Sequence, residues 1–224
     1  MLGGTVLGGT VLGVAALVAG FRPLLKWWRL DCRGLPEAGG AGYGPLRPDP
    51  EGILDLPEGF SYRMLCRSGE LMDDGFLVPG APDGTGVFAM PNGEYRVVRN
   101  HELAAGQGRL GPFHGKKEPP PDRRYDPFCH GGTTTLVLDG ELRLRRKFLS
   151  LAGTERNCAG GTTPWGSWIS CEESRAGPKS GKGYRRDHGF AFQVDAAADG
   201  LGEPVPLVAM GRFFREGAAV HPGR

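Results

Sequence analysis

Two turn signals most constrain what this chain can fold into. Asn92-Gly93 and Asp139-Gly140 each stand between two short apolar runs. An asparagine or aspartate followed by glycine readily adopts the positive φ angles of a tight hairpin turn. Each signal therefore predicts an antiparallel β-hairpin. The predicted hairpin strands are residues 87–90, 94–99, 133–138 and 141–149.

The rest of the chain repeats this pattern of short apolar runs. Further strands are predicted at residues 60–65, 165–171, 189–194 and 205–210. The 39 glycines and 19 prolines interrupt these runs, and no helical periodicity follows residue 30. Short strands at this spacing are typical of an all-β sandwich, barrel or propeller. Two hairpins roughly fifty residues apart suit β-propeller blades of about 40 to 50 residues each.

Residues 1–30 differ from the rest and predict a segment for export. Residues 1–21 carry no charge, and Arg22, Lys26 and Arg29 follow beside two tryptophans. The stretch suits either a secretory leader that has lost its charged start or a membrane anchor with interfacial basic and aromatic residues. Both alternatives predict a protein that is periplasmic, extracellular or membrane-anchored. The second also predicts membrane contact through residues 1–30.

The remaining residues divide into a linker and one domain. Residues 31–57 are rich in proline and glycine and are predicted to be a linker or an extended arm. Residues 58–224 are predicted to form a partial β-propeller domain. At the blade length given above, this domain holds about three to four blades.

Charge and cysteine usage exclude two classes of function. The net charge of +2, with basic residues scattered among acidic ones, does not indicate a nucleic-acid partner. The five cysteines form no Cys-x-x-Cys pair, which argues against a structural zinc knuckle. Their odd number leaves at least one thiol free or bound to metal, and we predict Cys158 for that role. Cys171 alternates with apolar residues and is predicted to be a buried small hydrophobe.

The densest group of chemically unusual residues is the run N-C-A-G-G-T-T-P-W-G-S-W-I-S-C-E-E-S, residues 157–174. Its carboxylates Glu172 and Glu173 repel each other, which favours a cation beside them. Glu102 and Glu216 also follow apolar strands, where the loops at one rim of a barrel or propeller converge. Oxygen ligands suit Ca²⁺, whereas a thiolate with carboxylates suits iron. The alternative for each carboxylate is an ordinary solvated strand end.

Two further groups leave alternatives open. His101 either supports a metal site or forms a surface pair with Glu102. Arg185 and Arg186 lie in a basic loop that is either solvated or holds an anion, since guanidinium groups bind phosphate with two hydrogen bonds. Because of the second alternative, Arg186 is a candidate catalytic residue.

Several motifs occur in an order that resembles the PhoX-type alkaline phosphatases. They are R-N-H-E, then N-C-A-G-G-T-T-P-W-G-S-W-I-S-C-E-E, then G-Y-R-R-D-H-G-F-A-F-Q-V-D, and finally M-G-R-F-F-R-E-G-A-A-V-H-P. The resemblance runs from about residue 56 to the last residue. It implies a six-bladed β-propeller exported by the twin-arginine route, although no twin arginine precedes the apolar segment. It also implies a phosphomonoesterase with an iron and calcium cluster at the propeller axis, and we expect a monomer that acts on phosphate monoesters.

The resemblance also implies roles for individual residues. Cys158 matches an iron ligand, and Glu172 or Glu173 matches a metal-binding carboxylate. Glu102 and Glu216 match further acidic ligands, and Asn100 is a catalytic candidate near the phosphate. By the same resemblance the chain corresponds to an N-terminal portion of such a protein, so we expect these 224 residues not to assemble the full cluster.

Two other functions fit the same residues. The first is a non-catalytic, extracytoplasmic propeller module that binds calcium and keeps the motifs for structural reasons. The second is a lactonase-like hydrolase on a propeller, which would also use calcium and carboxylates but leaves Cys158 without a role.

Overall fold

The computed structural model describes residues 42–114 and 117–221, and β-strands dominate them. The chain divides into two compact units, one ending at Arg63 and the other beginning at Met64. Within the described ranges there is no α-helix, and the helical turns are short 3₁₀ segments. No helix in the same ranges is long and apolar enough to cross a membrane. The all-β prediction is confirmed, and the prediction for residues 1–30 lies outside the described residues.

The first unit contains a small hairpin organised around Asp49. Strands β1 (Leu46–Arg47) and β2 (Leu56–Pro57) pair antiparallel. The Asp49 carboxylate accepts hydrogen bonds from the Tyr62 hydroxyl at 2.6 Å and from the backbone N–H groups of Glu51, Ile53 and Leu54. These donors, Tyr62 above all, lower the pKa of Asp49 to about 2.

The second unit begins with a four-stranded antiparallel sheet. Its strands, in spatial and sequence order, are β3 (Pro82–Ala89), β4 (Tyr95–His101), β5 (Gly131–Leu138) and β6 (Leu144–Thr154). Val87 pairs with Val97 across the first hairpin, and Val137 pairs with Arg146 across the second. Both predicted hairpins are therefore confirmed.

A three-stranded antiparallel sheet follows. Its strands are β7 (Asn157–Thr162), β8 (Ser167–Glu172) and β9 (Ala191–Asp195). The strands predicted at residues 165–171 and 189–194 are confirmed, whereas β7 was not predicted. Glycine is required inside β7 because a Cβ on Gly160 would lie 1.9 Å from the carbonyl oxygen of Ile169.

Two predicted strands are wrong. Residues 60–65 have no strand. Residues 205–210 make only one isolated bridge, between Pro206 and Phe192, before a 3₁₀ turn at Val208–Met210. Proline lacks the N–H group that a continuing ladder needs, so the pairing stops there.

The main core joins the two sheets. Val98 of β4 and Leu151 of β6 pack in one buried cluster with Trp168 of β8 and Phe192 of β9. A Cβ on Gly86 would lie 2.6 Å from the Trp168 ring, so the indole packs directly against the β3 backbone. This packing fixes one end of the first sheet beside one end of the second. The predicted ligands Glu102 and Cys158 lie there.

Candidate metal centre

Asp83, Glu102 and Cys158 form an outer cluster where the two sheets meet. Asp83 is in β3, Glu102 directly follows β4, and Cys158 is the second residue of β7. Each offers one ligand atom, and the three atoms lie within 4.8 Å of one another. Two of the predicted ligands, Glu102 and Cys158, are thus brought together with a third residue that the sequence did not indicate.

The strand packing explains why these three side chains meet. Pro82 pairs with His101 across the first hairpin, which brings the residues after them to the same end of the sheet. The Glu102 N–H then donates to the Ala81 carbonyl at 2.8 Å. A Cβ on Gly84 would lie only 2.6 Å from the Cα of Ala159, so β3 runs directly against β7. A larger residue at position 84 would separate the two strands.

The Asn100 side chain binds the backbone of Cys158. Its side-chain N–H₂ donates to the carbonyls of Cys158 and Ala159, both at 2.9 Å. Its side-chain oxygen accepts from the Trp168 indole at 2.9 Å and from the Ser170 hydroxyl at 2.8 Å. Asn100 is fully buried. These contacts give Asn100 the geometry of a residue that positions the Cys158 backbone, and the place near the phosphate that the resemblance implies stays a prediction.

Arg156 connects the outer cluster to Glu173. Its guanidinium donates to Glu102 at 2.9 Å and to Glu173 at 2.5 Å. Its backbone N–H donates to the Leu103 carbonyl, and its carbonyl accepts from the Glu173 N–H. Arg156 has a φ of +48°, a conformation that costs a non-glycine residue about 1–3 kcal/mol and tends to occur at functional sites.

The charges of the outer cluster are mutually unfavourable. Burial, followed by hydrogen bonding and repulsion from Glu102, raises the pKa of Asp83. Burial likewise raises the pKa of the Cys158 thiol, and the charges of Asp83, Glu102, Glu173 and Glu216 raise it further. Glu216 therefore acts on Cys158 electrostatically. A bound cation would reverse both shifts, because it favours the ionised carboxylate and thiolate.

Glu172 and Glu173 point to opposite faces of the sheet, as neighbours on a strand do. Glu173 pairs with Arg156 beside the outer cluster, whereas Glu172 is fully buried. The Glu172 carboxylate accepts from the backbone N–H groups of Glu155, Gly189 and Phe190 and from His188. The structure therefore brings Glu173, and not Glu172, beside the outer cluster, and metal binding by either residue stays a prediction.

With this geometry established, comparison with known proteins identifies the family. A family model described as Alkaline phosphatase PhoX matches residues 41–146 and 138–224. The chain belongs to the PhoX alkaline phosphatase family. No curated protein and no solved structure matches the chain.

Two other predicted residues lie apart from the outer cluster of this PhoX-family chain. The Arg186 guanidinium stacks 5.2 Å from the centre of the Tyr125 ring, and Arg186 lines a cavity of about 440 Å³ with Arg124 and Arg185. His101 is fully buried, donates from Nδ1 to the Gly80 carbonyl and accepts at Nε2 from the Thr134 hydroxyl. Burial lowers the pKa of His101 to about 3, so its imidazole is neutral and has no free nitrogen for a metal.

Sequence reasoning missed Asp83 and Arg156. The signal for Asp83 was present, since Thr85 pairs with Arg99 across the Asn92-Gly93 turn. Counting outward at that register places residue 83 opposite His101, which is one residue before Glu102, although the register shifts between Pro82 and Thr85. Nothing comparable indicates Arg156, whose role depends on the contact between two sheets.

Proposed function

We propose that this chain contributes the metal centre of a metal-dependent phosphomonoesterase. One observation carries the proposal: in a PhoX-family chain, Cys158 lies with two carboxylates whose ligand atoms are all within 4.8 Å. Asp83, Glu102 and Cys158 would be the central ligands. Glu173 and Glu216 would extend the site, because both charges act on the Cys158 thiol.

The donor set fits the iron and calcium that the family resemblance implies. Cys158 offers a soft sulfur ligand that suits iron, and the carboxylates offer hard oxygen ligands that suit calcium. Burial and then the neighbouring negative charges raise the pKa values of Asp83 and Cys158, and a bound cation would oppose both effects. Bound metal ions would neutralise the phosphoryl oxygens of a phosphate monoester and supply an activated water.

The remaining residues of the site would position these ligands. Arg156 holds the carboxylates of Glu102 and Glu173 at a fixed separation, and Asn100 fixes the backbone of Cys158. The substrate would approach from the partly exposed side of Cys158. We leave Arg186 out of the reacting groups, because its described contacts involve Tyr125 and the loop around Asp126.

We further propose that the two sheets are parts of a β-propeller, which has six blades in the family. An antiparallel four-stranded sheet in sequence order, followed by a second antiparallel sheet that packs against it, is the arrangement of successive blades. We also propose that the protein is an exported monomer and that residues 1–30 supply the export signal or a membrane anchor, since residues 1–21 are uncharged.

A second candidate function is a non-catalytic calcium-binding module. The crowded carboxylates of the outer cluster favour it, because calcium needs oxygen ligands and no thiol. The two functions differ at Cys158, which would bind iron in the phosphatase and no metal in the calcium-binding module.

Metal analysis combined with hydrolysis of p-nitrophenyl phosphate tests the proposal. We expect the purified chain to bind iron and calcium, and we expect Cys158→Ser to lose the iron together with any hydrolysis. Cys171→Ser is the matched control, because Cys171 is buried among apolar residues. Calcium without iron would favour the binding module, and the absence of both metals would contradict both functions.

A further inference from the structure

A second group of metal-ligating side chains lies inside the protein. Asp126 and Cys129 belong to the loop before β5, and His188 belongs to the loop before β9. All three are fully buried, and their ligand atoms lie within 4.8 Å of one another. We call these three residues, with the neighbouring Glu155 and Glu172, the buried cluster.

The two sides of the His188 ring have different contacts. On one side, Nδ1 lies 2.7 Å from the Glu172 carboxylate, a normal distance for a hydrogen bond to a charged group. On the other side, Nε2 lies 3.3 Å from Asp126 and 3.4 Å from the Cys129 sulfur. Around a tetrahedral zinc ion, ligand bond lengths place nitrogen about 3.4 Å from oxygen and about 3.5 Å from sulfur. The Nε2 side therefore has the spacing of a metal site, and the Nδ1 side has that of a supporting hydrogen bond.

The contacts around these ligands hold them in place. Asp126 accepts from the backbone N–H groups of Arg185 at 2.8 Å and Arg186 at 3.0 Å. Glu172 orients His188 in the way that a carboxylate orients a metal-binding histidine in many zinc sites. Glu155 lies 3.2 Å from the Cys129 sulfur through one oxygen, and its other oxygen accepts from the Tyr184 hydroxyl at 2.6 Å.

We propose that Asp126, Cys129 and His188 bind one divalent ion of the zinc type as its three protein ligands. The histidine nitrogen, the thiolate and the carboxylate form the mixed ligand set that zinc accepts, whereas calcium requires oxygen ligands alone. This inference does not depend on the phosphatase proposal, because none of the three ligands belongs to the outer cluster.

Charge balance favours a divalent ion at this position. Burial lowers the pKa of His188, but the Glu172 and Asp126 carboxylates at its two nitrogens outweigh burial and raise it. Binding to the doubly protonated ring would release one proton from His188 Nε2 and one from the Cys129 thiol, while the metal ion brings two positive charges. The total charge of the fully buried site stays the same, and two protons leave for each ion bound.

Cys129 has no competing role as a free nucleophile. Burial, followed by the charge of Glu155, raises the pKa of its thiol. Without a cation the sulfur keeps its proton, and no solvent reaches it. The alternative to a metal site is a purely structural hydrogen-bond network, in which Cys129 donates to Glu155.

Cobalt binding to a Cys158→Ala chain distinguishes the metal site from the structural hydrogen-bond network. That background removes the thiol of the outer cluster, so a thiolate-to-cobalt charge-transfer band must come from another cysteine. We expect one equivalent of Co²⁺ to give this band and two protons to be released. Adding Cys129→Ser should abolish the band, although the serine hydroxyl can still donate to Glu155 and keep the network. Adding Cys171→Ser should leave the band intact, because that buried cysteine lies outside the cluster.

Either of two results would overturn the proposal: no cobalt uptake by the Cys158→Ala chain, or a band that survives Cys129→Ser. If Cys129→Ser does not fold, the refolding yield of the Cys158→Ala chain with and without Zn²⁺ decides the matter. A yield that rises with Zn²⁺ supports the site, and an unchanged yield contradicts it.

Discussion

The outer cluster and the buried cluster use similar side chains, but their charges have different partners. Each contains one cysteine and at least two carboxylates. In the buried cluster, backbone N–H groups and His188 donate to the carboxylate oxygens of Glu172 and Asp126. In the outer cluster, the Asp83 and Glu102 carboxylates repel each other, and Arg156 pairs with Glu102 and Glu173. The comparison separates carboxylates whose charges are met by several hydrogen-bond donors from carboxylates that repel each other.

The adjacent residues Glu172 and Glu173 give the sharpest test of this comparison. Glu172→Ala should destabilise the protein by about 3–5 kcal/mol, because it leaves the buried His188 ring and three backbone N–H groups without their acceptor. Glu173→Ala should cost less than about 1 kcal/mol, because Glu173 is partly exposed and pairs with a partly exposed arginine. Urea unfolding of both variants measures the difference. Equal losses of stability would contradict the distinction between the buried Glu172 and the partly exposed Glu173.

We expect the second-largest loss of stability from a substitution at the contact between the two sheets. Gly84→Ala places a Cβ 2.6 Å from the Cα of Ala159, so we expect a loss of about 1–3 kcal/mol and weaker metal binding at Cys158. Gly106→Ala is the control, because its Cβ meets nothing within 4 Å and should change stability by no more than about 0.5 kcal/mol. Thermal unfolding and iron titration of both variants check this prediction. Unchanged iron binding in Gly84→Ala would show that β3 does not set the position of Asp83.

Local signals in the sequence predicted the hairpins and two of the three residues of the outer cluster, Glu102 and Cys158. An Asn-Gly or Asp-Gly turn acts within a few residues, so β3 to β6 could be predicted without knowledge of packing. Strand β7 could not, because its glycines are explained only by the close approach of Ile169 to Gly160 and of Ala218 to Gly161. Alternation at the end of β8 places Glu172 and Glu173 on opposite faces, but which face is buried depends on Glu155, between β6 and β7, and on the loop before β9.

The two cysteines should differ in reactivity. Cys158 is partly exposed and should be alkylated in the native protein, whereas Cys129 is fully buried and should react only after unfolding. Asp83→Asn removes one negative charge beside Cys158 and should lower the pKa of its thiol. We therefore expect alkylation at pH 8 to be roughly two- to five-fold faster, with the difference vanishing above the thiol pKa. Peptide mass spectrometry resolves each cysteine, and Cys66 serves as an internal control.

A rate at Cys158 that is unchanged in Asp83→Asn would show that the two groups do not interact. Slower alkylation of Cys158 after addition of iron would instead strengthen its assignment as a ligand, since a metal-bound thiolate is shielded from the reagent.

The smallest effect concerns Asp49, which is exposed but has hydrogen-bond donors as the buried carboxylates do. Its folded-state pKa, lowered to about 2, lies below the ordinary value of 3.8. The stability that Asp49 contributes to its hairpin is therefore present above pH 3.8 and lost as the pH falls through 2. Tyr62→Phe removes the donor that lowers this pKa most, so the pKa should rise toward 3.8. A carboxyl NMR titration of both chains measures the change, and an Asp49 pKa that stays near 2 without the hydroxyl would assign the whole shift to the backbone donors.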